Sequence, residues 1–422
     1  MVPVRRSEGV RVPARWLSGV SPDGRRIVLA KSVRAFGDGF ASIAFAAYLS
    51  QRGFDAFAIG VLATVALLGT TAATLVAGFW VDRIGRRRLL LVASCVSIAS
   101  GLTFATVQPY ALLLLVAFLG TLNPSQGDVS IFLPVEQAAL TDTVAPARRT
   151  WLFARYNLAG RLAAATGALA SGLAGVGARL FGLELETTLR LLFVLYAVLG
   201  GGLVLTYRGL TPAIELAATQ SARRGLHESR AVVTRLSALF ALDSFGGGLA
   251  IDSVVALWLF QHYGLSVEAA GAIFFVVGVL AAGSMLVAVP LAARIGLIET
   301  MAYTHLPSNV ALLLVPLAPS LWLALLLLFI RSALSQMDVA PRTTYIVSVV
   351  TAEERAAAVS VTNVVRSLST AVGPSLGGAL LTAGPFGLPL VVAGAVKGVY
   401  DVSLLLLFRR VPVRDEQPPA RS

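Results

Sequence analysis

Residues 78–90 read GFWVDRIGRRRLL, one carboxylate and four arginines within seven positions, set between two long apolar runs. Asp82, Arg83, Arg86, Arg87 and Arg88 cannot sit in hydrocarbon, where a central charge costs roughly 2.5–3.5 kcal/mol on the lenient insertion scale. The stretch is therefore a tight turn between two membrane spans. Short arginine-rich loops stay on the cytoplasmic side, which orients the chain.

Working outward at about 20 apolar residues per crossing, the sequence yields twelve candidate spans: 27–50, 56–79, 88–107, 111–142, 150–175, 187–207, 231–259, 267–290, 297–317, 320–350, 355–383 and 386–408. The fourth and tenth are too long for straight helices. Asn123-Pro124 and Pro134 interrupt one and Pro341 the other, so kinks or cytoplasmic extensions are expected there. Basic residues alternate between the two sides, and Arg52, Arg179 and Arg190 alone fall in the loops opposite Arg83–Arg88. Both termini are expected in the cytoplasm, with the protein multi-pass in the plasma (cytoplasmic or inner) membrane. The organisation expected is a cytoplasmic tail over 1–26, a six-helix bundle over 27–208, a cytoplasmic linker over 209–230, a second six-helix bundle over 231–408 and a tail over 409–422.

Composition excludes most other classes. Of 422 residues 56% are apolar and only 13% charged, against about 25% charged in ordinary globular chains. The net charge of +12 is spread over short loops rather than gathered in a patch, so no nucleic-acid partner is expected. Cys95 is the single cysteine, and His227, His262 and His305 are far apart, which leaves no metal or cofactor site in view. No phosphate-binding loop is present, so ATP is not the direct driver. No nucleophile, base and orienting group occur together, and the chain is not expected to be an enzyme.

The two halves repeat. Gly53, Gly60 and Arg83-Ile84-Gly85 recur 211 residues later as Gly264, Gly271 and Arg294-Ile295-Gly296. Asn157, Gly167 and Gly172 recur 206 residues later as Asn363, Gly373 and Gly378, with Arg149 falling on Arg355. Parallel six-helix repeats are one of the transporter architectures. The turn itself resembles the G-x-x-x-D-R-x-G-R-R loop between the second and third helices of the major facilitator superfamily, matched at Gly78, Asp82, Arg83, Gly85, Arg86 and Arg87. That resemblance implies an all-α polytopic membrane protein: twelve transmembrane helices in two pseudo-symmetric six-helix bundles, monomeric, working by alternating access. The implied function is secondary transport of a small organic molecule, similar to bacterial drug or metabolite efflux, by proton-coupled export (antiport). Import of a metabolite by proton symport or facilitated diffusion is the alternative. A receptor or assembly partner that moves nothing is the reading from another class.

Charges inside apolar spans mark function, because they must face a partner or water. Arg34 and Asp38 lie on the first span, Asn123, Gln126, Asp128 and Glu136 on the fourth, Asp243 and Asp252 on the seventh, and Arg331, Gln336, Asp338 and Arg342 on the tenth. The resemblance implies that these four helices line a central cavity, making Arg34, Asn123, Gln126, Asp128, Asp252, Arg331, Gln336 and Asp338 candidate substrate contacts. Asp38 and Asp243 are repeat equivalents at an offset of 205. A carboxylate in a poorly hydrated cavity can take up and release protons, so both are candidates for proton coupling; Asp38 could equally be the fixed partner of Arg34. Arg331, Asp338 and Arg342 could orient an anionic or zwitterionic substrate, or pair internally with Asp128 or Glu136. Lys397 and Asp401, four apart, are expected to pair with each other, and Arg155, Arg161 and Arg366 to snorkel or to lock the halves together.

In the family the loop aspartate belongs to a cytoplasmic gate; here the resemblance implies Asp82 working against the start of the eleventh span, with Arg355 and that helix's exposed backbone amides as candidate partners. Residues 373–378, GPSLGG, match a pattern that drug exporters carry in their fifth helix, whereas here it lies in the eleventh.

Overall fold

The computed structural model describes residues 17–125, 130–141, 143–145, 148–215, 226–384 and 386–409. Among them the ordered chain is helical and contains no strand. The first half comprises α1 (Pro22–Gln51), α2 (Ala56–Ile84), α3 (Arg86–Thr106), α4 (Tyr110–Leu119), α5 (Phe132–Thr141), α6 (Arg149–Ala170), α7 (Leu173–Phe181) and α8 (Leu185–Arg208). The second comprises α9 (Arg230–Leu249), α10 (Asp252–Tyr263), α11 (Val267–Ile295), α12 (Leu297–Leu314), α13 (Leu321–Leu334), α14 (Val339–Ser348), α15 (Arg355–Thr382) and α16 (Leu388–Phe408). Four crossings are broken in two, the pairs α4/α5, α6/α7, α9/α10 and α13/α14, so these segments make twelve spans in two bundles of six.

Eight of the spans are long and apolar enough to cross a membrane on composition alone. The remaining four are α1, α4/α5, α12 and α15. Arg34 and Asp38 on α1, Glu136 on α5 and His305 and Asn309 on α12 turn inward and are buried, which lowers a span's mean hydropathy without placing a charge in lipid. Outward faces are apolar: Trp322 and Leu406 are each 80% exposed, as a lipid-facing surface requires. The breaks at Pro124 and near Pro341 match the expected kinks. Those at Ser171-Gly172 and Ala250-Ile251 were not expected; with them the fifth crossing reaches Phe181 and the seventh Tyr263.

The repeat is visible in backbone angles. Gly53 and Gly264 have φ of +77° and +60°, and Gly182 and Gly387 +62° and +68°. Gly85 and Gly296, each joining two helices with no intervening residue, have φ/ψ of 89°/146° and 98°/162°. That region is essentially closed to residues with a Cβ, which explains why glycine stands at both. Asp55 caps α2 by accepting from the Ala58 amide at 2.7 Å, and Ser266, 211 positions later, caps α11 through the Ala269 amide at 3.3 Å.

Among the described residues the apolar core shared by the two bundles lies at one end. At the end of the α1–α2 turn a single apolar core runs through both halves, joining Phe40, Tyr48 and Phe193 to Val254, Trp258 and Leu312. Toward the termini it divides into one cluster around Phe132, Tyr156 and Tyr207 and another around Phe240, Tyr345 and Tyr400. Glycines record the same taper. A Cβ on Gly271 of α11 would lie 2.7 Å from the Ala168 carbonyl oxygen of α6, and one on Gly278 2.7 Å from the Ala165 methyl. A Cβ on Gly60 of α2 would lie 2.2 Å from the Pro374 carbonyl oxygen of α15, whereas nothing lies within 4 Å of one on Gly78, eighteen residues further along the same face. Arg179 and Glu268 close the far end as an ion pair across the bundles, and the Ser375 amide donates to Thr64 Oγ1 at 2.9 Å.

Candidate functional site

Three polar sets lie within this frame, one inside each bundle and one between them. In the first bundle Arg34 Nη2 is 3.0 Å from Glu136 Oε2, which also accepts from the Tyr156 hydroxyl at 2.5 Å. Tyr207 donates to the other Glu136 oxygen at 2.6 Å. Asp38 stands at the edge of this set, 3.7 Å from Arg34 Nη1 and 3.3 Å from the Tyr196 hydroxyl. Lys31 lies over the Tyr156 ring at 5.3 Å. Arg34, Asp38 and Glu136 are all at most 6% exposed, and two cations face two carboxylates. Glu136 therefore pairs within its own bundle, which removes it as the internal partner that was one alternative for the tenth span's charges.

The second bundle carries a larger set. Asp243 receives Lys397 Nζ at 2.5 Å and Arg342 Nη1 at 3.3 Å, while Arg342 also reaches Asp338 at 3.1 Å. The expected Lys397–Asp401 pair does not form. Asp401 instead holds His305 Nδ1 at 2.9 Å and accepts from the Asn309 amide at 2.7 Å; i,i+4 spacing brings two side chains to one helix face, and here Asp243 across the bundle is the stronger partner for Lys397. His305 Nε2 is 3.9 Å from Asp243, and Arg366 donates to Ser244 at 3.2 Å. Asp243, Asp338 and Asp401 are matched by Lys397, Arg342 and Arg366. His305 and Asn309 were not among the residues singled out, since they lie on a span with no other charge in its middle.

Between the bundles stand Arg161 of α6, Asp252 at the start of α10, Arg331 of α13 and Gln336 at the α13/α14 break. Arg161 Nη2 donates across the bundles to Gln336 Oε1 at 3.1 Å, so Arg161 links the halves rather than snorkelling. The charges acting on Asp252 are the guanidinium groups of Arg161 and Arg331. All four are half-buried, unlike the closed sets inside the bundles. Among the described residues neither Arg331 nor Asp252 has a side-chain hydrogen bond or an ion pair. The Ser253 amide, next to Asp252, donates to the Pro124 carbonyl at 3.3 Å across the bundles.

The other sequence-derived candidates fall elsewhere. Asn123 is buried and accepts from the Ser125 amide and hydroxyl at 3.0 and 2.8 Å. Gln126 and Asp128 lie outside the described residues, as does the side chain of Asp82. Arg34 and Asp338 belong to the bundle-internal sets and do not face the space between the bundles.

The arginine-rich turn is held from a residue that sequence reading passed over. Glu215, in a 3-10 turn over Pro212–Glu215, accepts from the Arg86 and Arg87 amides at 2.7 and 2.9 Å, a carboxylate seated on the N-terminus of α3. Arg86 and Arg87 also donate to the Ile214 and Arg208 carbonyls at 2.9 and 2.7 Å, while Arg83 lies exposed over Trp80. Gly78 and Gly85 leave room and supply the turn. Arg355 donates from Nε to the Val347 carbonyl at 2.9 Å. Beside it Glu354 accepts from the amides of His227, Glu228 and Ser229 at 2.6, 2.9 and 2.8 Å. The Ser229 hydroxyl and these amides hold the Glu354 carboxyl down to about 2.

Comparison with known proteins agrees with this architecture. The sequence model of the Major Facilitator Superfamily matches residues 27–304 and 236–422. An uncharacterized membrane protein of Saccharomyces cerevisiae is 24% identical over 391 residues, covering 84% of this chain and 87% of its own length. Among solved structures, a bacterial homolog of the human lysosomal transporter Spinster, inward-facing and occupied, superposes with a TM-score of 0.72 at 18% identity over 94% of this chain and 98% of its own. A D-xylose–proton symporter gives 0.71 at 14% identity, covering 93% and 99%. The nucleoside transporter NupG gives 0.71 at 13% identity, covering 92% and 100%.

Proposed function

Because this chain belongs to the Major Facilitator Superfamily and is a transporter rather than an enzyme, we propose that it moves a small organic molecule by alternating access, exporting it in exchange for protons. The observation that carries this reading is the inter-bundle set Arg161, Asp252, Arg331 and Gln336, half-buried where the bundles splay apart. It lies below an end closed by a shared apolar core and by the Arg179–Glu268 pair. A polar site sealed toward one side and open toward the other is what an alternating-access carrier presents in one of its two states.

In the orientation we propose from the positive-inside rule, the termini and the open end face the cytoplasm, and we take the chain to work as a monomer in the plasma membrane. The division we propose has bundles over 27–208 and 231–408, a linker over 209–230 and tails over 1–26 and 409–422. In the opposite state the turn would close on the eleventh span, with Asp82 against Arg355 and Gly78 offering α15 a surface without a side chain.

Of the two carboxylates considered for coupling, Asp38 is favoured. Neutralising it leaves Arg34 paired with Glu136 at 3.0 Å. Neutralising Asp243 would strand Lys397 and Arg342 in the bundle interior. The test is proton release by the purified protein in weakly buffered detergent as transportable dyes and small acids are titrated in, for wild type and Asp38→Asn. Release from wild type alone supports coupling at Asp38. Intact binding without proton movement in either protein sinks antiport at this residue. Import by proton symport is distinguished by the direction of flux in proteoliposomes under an imposed pH gradient.

A further inference from the structure

From the charge balance of the three polar sets we infer that the transported molecule carries one negative charge, on a carboxylate or a singly ionised phosph(on)ate, and that Arg331 is its receptor. The inference rests on the transport reading above and names the substrate class of that site.

Inside each bundle the charges close among themselves: two cations face two carboxylates in the first and three face three in the second, every carboxylate within 4 Å of a donor. Between the bundles, among the described residues, two guanidinium groups face one carboxylate. Arg161 is engaged by Gln336 at 3.1 Å. Arg331 has its backbone carbonyl tied to Ser308 Oγ at 3.0 Å, while its guanidinium is without a partner among the described residues. A guanidinium held half out of water presents a planar fork of donors, and a carboxylate or phosphate matches that fork with two parallel hydrogen bonds. Ammonium and neutral amide groups match it poorly.

Asp252 limits the charge that can be taken. It sits at the first residue of α10, and the cations acting on it are the same two arginines. A ligand bearing one negative charge brings the set to neutrality. A dianion leaves it negative and meets Asp252 as a like charge, so the site prefers monoanions. Gln336 accepts from Arg161 through Oε1 and keeps its amide N–H groups to orient the rest of the molecule.

The test uses the full chain in detergent and four probes of one shape: benzoate, phenylphosphonate, benzamide and benzylammonium. Binding is read by the ligand-induced rise in unfolding temperature and by tritiated-benzoate equilibrium dialysis. Benzoate or phenylphosphonate is expected to bind at least tenfold more tightly than benzamide, with benzylammonium weakest, and that preference is expected to vanish in Arg331→Gln. The two oxyanions against each other separate a carboxylate from a phosphonate substrate. Because Arg331→Gln could fold poorly, Asp252→Asn supplies an independent reading: oxyanions should gain at least threefold, the phosphonate at alkaline pH most, with benzamide unchanged. Equal binding of benzamide and benzoate, an oxyanion preference that survives Arg331→Gln, no oxyanion binding at all, or no effect of Asp252→Asn overturns the inference. Flux of the same probes in proteoliposomes separates the two levels. Oxyanions that bind at Arg331 without being moved leave the recognition standing and remove transport; benzylammonium being moved does the reverse.

Discussion

Replacing Gly271 with alanine should shift the protein between its two conformations while leaving its fold nearly unaffected. The added methyl would stand 2.7 Å from the Ala168 carbonyl oxygen and 2.9 Å from Ser171 Oγ, both on the other bundle. Ordinary contact needs about 3.4 Å or more, so one bundle must withdraw by roughly 0.7 Å where the packing is rigid backbone. Overpacking of this kind costs about 1–3 kcal/mol. Alanine also favours helix over glycine by about 1 kcal/mol, but that gain is the same in both conformations and drops out of their ratio. The state closed at the far end should therefore lose about 5- to 150-fold in population. Gly394 is the matched control: its Cβ would also lie 2.7 Å from a carbonyl oxygen, that of Asn309, but within the same bundle. There the clash acts on folding, partly offset by helix propensity, and leaves the conformational ratio alone. In a Cys95→Ala background, spin labels at the exposed Gln51 and Ala383 report the separation of the bundles at the far end by double electron–electron resonance. A longer distance in Gly271→Ala only, with a lower unfolding temperature in Gly394→Ala only, is expected. If Gly271→Ala leaves the distances unchanged and behaves like Gly394→Ala, the far-end contact is not a closing surface.

Asp243→Asn should lower stability in detergent by about 3–5 kcal/mol, since it leaves Lys397 and Arg342 buried without their shared carboxylate; a loss under 1 kcal/mol by thermal or denaturant unfolding would refute that role. Glu354, with its carboxyl held near 2, adds stability that is complete above the unfolded carboxylate value of about 4.3 and fades as pH falls through 2. Amide exchange at His227–Ser229 should accordingly be slower in wild type than in Glu354→Gln at pH 6 and the difference should shrink to about twofold near pH 2, and a difference undiminished at pH 2 would refute it. Glu268→Gln should break the Arg179 pair and shift the same spin-label distances toward the open far end, although modestly, because Arg179 is exposed and such pairs are worth about 0–1 kcal/mol.

Much of the fold was legible because membrane insertion is a one-dimensional constraint. A run of apolar residues must be about 20 long to cross, a charged turn must lie outside, and Asp82–Arg88 announces such a turn directly. The breaks in the fourth and tenth crossings were signalled by Asn123-Pro124 and Pro341, whereas those at Ser171-Gly172 and Ala250-Ile251 carry no proline. The candidate site was legible only in part. Intramembrane charges could be found by inspection, but their partners could not: Lys397 and Asp401 looked paired, Glu136 was one of two carboxylates open to the tenth span, and Arg161 could be read either as a snorkelling group or as a lock between the halves.

The sequence by itself determined the number of spans, the internal repeat and the residues that carry charge into the membrane, because each depends on local composition or on spacing along the chain. Only the tertiary structure decided which charges neutralise one another inside a bundle and that Arg331 and Asp252, where the bundles part, have no ion pair among the described residues. Helices that lie far apart in sequence meet there, and in a low-dielectric interior a few ångströms of separation set the strength of an electrostatic pair, a distance that no spacing along one helix encodes.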